Sequence, residues 1–222
     1  MVPAILDRLE KHYGKLKLAG PTDPYHMILY ANCGYPANDI TCPKGFDALA
    51  RLIGLEPDHI LAASETQLKQ IMALGGIVPE VRARRIQEIA GRVRDQYSGD
   101  LAAALKKSLP EARKILKQFP TIGEPGAEKI LLFTKAAPIA AVPSGHVHVY
   151  HRLGLGTEKK SYAAGYRAAQ DAIAAALPAD IATLQRAYLL FQRHGREICK
   201  RGMPLCRACP LSGDCVYFQR MR

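Results

Sequence analysis

The chain has 222 residues, 48% of them hydrophobic, enough to bury the core of one large domain or two small ones. Lys and Arg outnumber Asp and Glu by 31 to 20, a formal charge of +11. That balance points to a polyanionic partner, nucleic acid before an anionic membrane surface, against the plainer reading of a soluble basic protein. Residues 1–18 mix charged with apolar side chains and no apolar run approaches spanning length. A signal peptide and a membrane span are therefore not expected, and the cytoplasm is the expected compartment.

Ile5, Leu6, Leu9 and Tyr13 form one stripe and predict an N-terminal helix. Residues 34–45, GYPANDITCPKG, read as a loop between two helices, and Cys33 and Cys42 beside it as buried or loop thiols. Ile86, Ile89, Ala90 and Val93 predict a helix with Arg82, Arg85, Arg92 and Arg94 around its apolar face. Leu101, Ala104, Leu105 and Leu109 predict another, and Glu111 to Gln118 a short amphipathic one. Val147-His148-Val149-Tyr150 alternates and is the best strand candidate, though short. Ser161 is placed to cap an Ala-rich helix reaching about Ala176, and Ile181, Leu184, Tyr188 and Phe191 mark a last long helix. The expected fold class is all-α, with no internal repeat.

FPTIGEPGAEK, residues 119–129, places two prolines and two glycines directly ahead of the apolar run Ile130 to Phe133. Pro125 suits a first helical turn, where its missing N–H costs nothing, and Gly123 lets the chain turn tightly and bring backbone close to a ligand. A helix beginning there offers unpaired N–H groups and a positive dipole end, an anion site for which a DNA phosphate is the natural candidate in so basic a chain. An ordinary helical hairpin is the alternative.

Cys199, Cys206, Cys209 and Cys215 fall within the last 24 residues in the spacing C-x6-C-x2-C-x5-C. Such a density in a reducing compartment indicates a metal centre rather than disulfides. Zinc ribbons show two short cysteine pairs; here only Cys206 and Cys209 are a pair, which favours a [4Fe–4S] cluster over zinc. Arg193, Arg196, Lys200, Arg201, Arg207, Arg220 and Arg222 surround these cysteines against Glu197 and Asp214. A metal-stapled basic loop would hold Arg196, Lys200 and Arg201 against phosphates, although part of this charge would offset a negative cluster.

Taken together, the hairpin FPTIGEPGA and the run HGREIC followed by Cys206, Cys209 and Cys215 resemble the endonuclease III branch of the helix-hairpin-helix DNA glycosylases. The resemblance covers most of the chain. It implies a six-helix lobe over residues 23–135 ending in the hairpin, and a cluster lobe of residues 1–22 with 136–222. It further implies damaged or distorted double-stranded DNA lying across a cleft, a target nucleotide swung out of the stack, a [4Fe–4S] cluster on Cys199, Cys206, Cys209 and Cys215, no membrane partner, a monomer, and a nucleoid-associated cytoplasmic location in a bacterium. Thr121, Gly123, Pro125 and Gly126 become phosphate-binding positions of the hairpin. Asn32 or Tyr35 becomes the side chain that fills the gap left by the flipped base.

The departures bear on the chemistry. Pro125 stands at the position of the family's attacking lysine, and Pro143, or Ser144 on a one-residue shift, at that of its aspartate. Thr121 replaces the first hairpin glycine, where a β-branched residue resists positive φ. Lyase chemistry by the family route is therefore not expected. Substitute groups are Glu124 with Glu128 one turn on, Lys129, and His146 or His148; for each the alternative is a solvated or structural side chain. Alkylated bases already carry positive charge, so a pocket that only flips and holds them is a further route. Two functions follow: a monofunctional glycosylase with a non-standard active site, or a lesion- or structure-binding DNA protein without excision. A redox sensor has less support, since no electron partner is evident.

Overall fold

The computed structural model describes residues 1–38 and 40–221. Among them there is no strand, and a single isolated bridge pairs Tyr35 with Gly76. No described helix is long and apolar enough to cross a membrane. Backbone proximity divides the chain into two compact units, Ala19–Ala136 and Met1–Leu18 with Ala137–Arg222.

The Ala19–Ala136 unit contains α2 (Pro24–Asn32), α3 (Thr41–Leu52), α4 (Pro57–Ala62), α5 (Glu65–Ala73), α6 (Pro79–Tyr97), α7 (Leu101–Ala104), α8 (Leu109–Leu116) and α9 (Glu124–Phe133). Asp23 caps α2 by accepting from the His26 N–H at 2.9 Å, and Ser64 with Gln67 forms a capping box on α5. α6 packs on α4, α5 and α2, burying Ile86, Ile89 and Val93 against Ile28, Ile60, Leu68 and Met72.

Four sequence expectations change here. The loop expected over 34–45 ends early, because Asn38 accepts from the N–H groups of Ile40 and Thr41 and starts α3 at Thr41. Pro43 is accommodated because it lies in the first turn. The stripe expected from Leu101 to Leu109 is two helices: the Ser108–Glu111 capping box and Pro110 start α8 afresh. α8 accordingly runs Leu109–Leu116 rather than Glu111 to Gln118. Arg82, expected among the surface arginines, is buried.

The other unit contains α1 (Val2–Tyr13), α10 (Val147–Arg152), α11 (Tyr162–Ala176), α12 (Ile181–Glu197), a 3-10 turn at Cys206–Ala208 and α13 (Val216–Gln219). Ser161 caps α11 through the Ala164 N–H at 3.2 Å, and Asp180 caps α12 through Thr183 at 2.8 Å. α1 packs on α12, joined by Arg186 to Asp7 at 2.8 Å and Glu10 at 2.9 Å. The strand expected at residues 147–150 is the helix α10. Its true period is helical, with Val147 above Tyr150 and Val149 above Leu153, all buried, and among the described residues no strand lies beside it to complete a ladder.

Candidate functional site

The hairpin between α8 and α9 turns through Phe119, whose carbonyl accepts from the Ile122 N–H at 3.2 Å. The left-handed position is taken by Thr121, with φ of 65°, whereas Gly123 has an ordinary φ of −91° and serves as the α9 N-cap. The turn is therefore tight without the glycine that the left-handed position favours, and Gly123 is not required by its own dihedrals. Nor does packing require the glycines: a Cβ at Gly123 or Gly126 would meet only Pro125 Cδ at 3.9 Å or Ile122 Cγ2 at 3.5 Å. Pro125 occupies the first turn, and the N–H groups of Gly123 and Gly126 have no acceptor among the described residues. The outcome is an uncapped helix start without bulk over it.

Asn32 is buried beneath this turn. Its amide donates to the carbonyls of Ile28 at 3.0 Å and Pro120 at 3.2 Å, and its oxygen accepts from the Thr121 hydroxyl at 3.3 Å. In this structure Asn32 supports the hairpin rather than standing at the surface as a gap-filling residue would. Glu124 is held by Lys117 at 2.8 Å with Arg113 at 3.6 Å. Glu128, expected on a solvated face, is 1% exposed and bonded to Arg113 at 2.7 Å. Lys129 is half-buried on α9.

Tyr35 is 50% exposed on a backbone fixed from two sides. Its N–H donates to the Gly75 carbonyl at 2.9 Å and its carbonyl accepts from Ile77 at 3.1 Å. Arg82 lies under both segments, 2% exposed, donating to the carbonyls of Cys33 at 2.8 Å, Met72 at 2.5 Å, Gly76 at 2.8 Å and Ile77 at 3.1 Å. A Cβ on Gly75 would stand 1.9 Å from the Cys33 carbonyl oxygen, which explains the Gly75-Gly76 pair. Sequence reasoning missed Arg82; the signal was an arginine at a position where the apolar stripe of α6 would otherwise continue.

In the other unit, Val142-Pro143-Ser144-Gly145 leads into α10. The Pro143 carbonyl accepts from the His146 N–H at 3.1 Å, and the Tyr166 hydroxyl accepts from the Val142 N–H at 3.3 Å. His146 Nδ1 lies 2.9 Å from the Ser144 carbonyl. A carbonyl only accepts, so Nδ1 carries the proton and Nε2 is left as the acceptor. Burial pushes the His146 pKa below its ordinary value; the Ser144 carbonyl opposes this, and Arg196 and Arg201 add to the fall. The ring fits because residue 195 is glycine, where a Cβ would stand 2.1 Å from His146 Cδ2. His148 Nε2 bonds the Cys199 carbonyl at 2.8 Å, and its Nδ1 is buried with no partner among the described residues.

Cys199, Cys206, Cys209 and Cys215 line one small hollow with His194, Ile198 and Leu153. The Leu211 N–H donates to Cys209 Sγ at 3.4 Å, and the Arg152 guanidinium to Cys199 Sγ at 3.6 Å. Burial raises the Cys209 thiol to about 11, the Leu211 N–H lowers it, and the other three sulfurs raise it further. Burial likewise raises the Cys199 thiol, against the Arg152 guanidinium beside it, so these two sulfurs resist ionising unless a positive charge is added. Among the described residues no three His, Cys, Asp or Glu side chains already stand close enough to grip a metal ion. Around this hollow, Arg152 donates to the carbonyls of Lys200 and Arg201, both at 2.8 Å, which leaves those two side chains, like Arg196, exposed.

No family model matches the chain. It is 24% identical over 201 residues to endonuclease III of Thermotoga maritima, covering 90% of this chain and 85% of that one. It is 24% identical over 163 residues to thymine-DNA glycosylase of Aeropyrum pernix, covering 73% and 69%. Its fold matches a trapped endonuclease III–DNA covalent intermediate with a TM-score of 0.78 at 21% identity, over 100% of this chain and 97% of the other. Sequence likeness along most of the chain to endonuclease III and to a thymine-DNA glycosylase, with the endonuclease III fold along all of it, makes the chain similar to the helix-hairpin-helix DNA glycosylases.

Proposed function

We propose that this protein binds damaged DNA and removes a base hydrolytically, as a monofunctional glycosylase with a substituted active site. The hairpin carries the reading. Gly123 and Gly126 are glycines that neither dihedral angle nor packing demands, and their own N–H groups, at a helix start, have no acceptor among the described residues. Their smallness has a use only if something outside the chain approaches, and a phosphate suits an uncapped helix N-terminus. Thr121 and Pro125 shape that approach. Arg196, Lys200 and Arg201 supply further phosphate contacts, and Tyr35, with exposed Ile77 beside it, suits insertion between bases.

Pro125 has no amine with which to attack a sugar, so the reaction this chain supports is attack by water. His146 is the candidate base: Nδ1–H is held by Ser144, burial keeps the ring neutral near pH 7, and Nε2 can take a proton from water. The bond from the sugar to the base breaks with its electron pair leaving on the base, which is easiest for an alkylated, positively charged base. Glu124 and Lys129 are weaker candidates for stabilising the sugar cation, since Glu124 is engaged by Lys117. Cys199, Cys206, Cys209 and Cys215 would hold a [4Fe–4S] cluster. Bound there, the cluster would tie the chain at residues 199 to 215 into one rigid loop.

The carboxylates of Glu124 and Glu128 are both held in ion pairs within the hairpin. That favours a second reading, a lesion-binding protein without excision. Duplexes carrying uracil, oxidised pyrimidines, alkylated purines or abasic sites separate the two. Release of a base that persists in Pro125→Ala and disappears in His146→Asn supports hydrolysis. Tight lesion binding without release from any duplex supports the second reading. Binding that does not weaken with salt contradicts both, because phosphate contacts release counterions.

A further inference from the structure

A hollow of about 770 Å³ lies wholly within the unit that holds the cysteines, between α10, the loop after it, the start of α11, and α13. Four cations line it, Arg152, Lys159, Arg201 and Arg220, against Glu158 as the only acid among its described lining residues. Lys159, Arg201 and Arg220 are exposed and have no carboxylate partner among the described residues. Like charges gathered around a concave surface repel one another, and an anion between them removes that cost. The start of α11 opens on the same hollow and has no acid in its first turn, so its dipole acts in the same direction.

The walls are not purely ionic. Tyr217 lies under the Arg152 guanidinium, 4.6 Å from ring centre to Cζ, which fixes both groups. Tyr162, 49% exposed, lines the hollow without being covered in this way. His148, another lining residue, has its Nδ1 buried with no partner among the described residues. Cations around a cavity of this size, with an open aromatic ring, match a phosphate ester carrying a flat ring. We propose that this hollow is a second anion site, separate from the hairpin, which binds a nucleotide phosphate with the base against Tyr162. The nucleotide is either free or part of a bound strand. Arg201 lines the hollow and is also a candidate backbone contact, so both sources remain physically accessible to it. The inference does not depend on any excision chemistry.

Titration calorimetry with ADP and with inorganic phosphate, using the protein as purified, tests the site. ADP is expected to bind more tightly than phosphate. Lys159→Ala and Arg220→Ala, both exposed positions, should each weaken ADP about tenfold, the loss of one charge-assisted contact. Tyr162→Ala should weaken ADP while leaving phosphate unchanged. Gly126→Ala, at the hairpin, should leave ADP binding as it is. A duplex that displaces ADP, with affinity lowered in the two charge variants, assigns the phosphate to DNA; simultaneous binding of both assigns it to a free nucleotide. Either result supports the site. Absence of ADP and phosphate binding at millimolar concentration together with unchanged duplex affinity in the variants overturns it, as does ADP binding that ignores Lys159 and Arg220.

Discussion

Replacing Arg82 by methionine removes four hydrogen bonds from a site that is 2% exposed. The consequences differ carbonyl by carbonyl. Met72 keeps a bond from the Gly75 N–H at 3.0 Å, so its loss is small. The carbonyls of Gly76 and Ile77 are part-buried, and water replaces the arginine at a net cost of about 1 kcal/mol each. The Cys33 carbonyl is buried with no other donor among the described residues, which costs about 1–3 kcal/mol. The sum is about 3–5 kcal/mol, and relief from burying a guanidinium lowers it to about 3 kcal/mol. Urea unfolding should show a midpoint lower by about 1 M. Exchange protection of the Tyr35 and Ile77 amides should collapse with it, because Arg82 bonds the carbonyls that flank both. Arg82→Lys should lose most of the same amount, since three ammonium donors on a single nitrogen cannot span four separated carbonyls. A midpoint within about 0.2 M of the native chain, or intact protection at Tyr35, would refute the role given to Arg82.

Gly126→Ala should raise stability by about 0.5–1 kcal/mol, as alanine does inside a helix, yet weaken duplex binding; a gain in stability with unchanged affinity would remove the argument that the glycine serves a ligand. Thr121→Gly should be more stable than Thr121→Ala by about 1 kcal/mol, because both lose the hydroxyl and only glycine is at ease at φ of 65°; chemical denaturation of the pair reads the difference. The neutral, depressed-pKa His146 stabilises the fold above its unfolded pKa, and this contribution is lost as pH falls from the ordinary histidine value through the lower folded one. Native protein should therefore lose stability relative to His146→Asn on acidification below about pH 6.5, and any base release should rise with pH across the same window before levelling. Cys206→Ser in anaerobically purified protein should abolish visible iron–sulfur absorbance and expose the residue 199–215 loop to proteolysis, whereas unchanged absorbance would exclude Cys206 as a ligand.

The long helices were legible because their apolar residues recur at helical spacing over several turns: α1, α6, α11 and α12 stand where Ile5, Ile86, Ser161 and Ile181 indicated. The helix–turn–helix unit around Pro120 to Gly126 was equally legible, since proline and glycine restrict the backbone locally. Short segments were not. Val147 to Tyr150 is too brief to separate a period of two from one of 3.6, and only the partners available to its backbone made it a helix. Which residue takes the left-handed turn also lay beyond local rules: Thr121 is held there by a hydroxyl bond to Asn32, 89 positions away in sequence. The same holds for burial of Arg82 and Glu128, polar side chains that sequence patterning places at the surface. Their partners are carbonyls and a guanidinium brought in by other elements. Local spacing determines which segments coil and where they break, because those preferences act through neighbouring residues. The inward fate of a charge depends on distant groups that solvate it in place of water, and those groups meet only once the chain has folded.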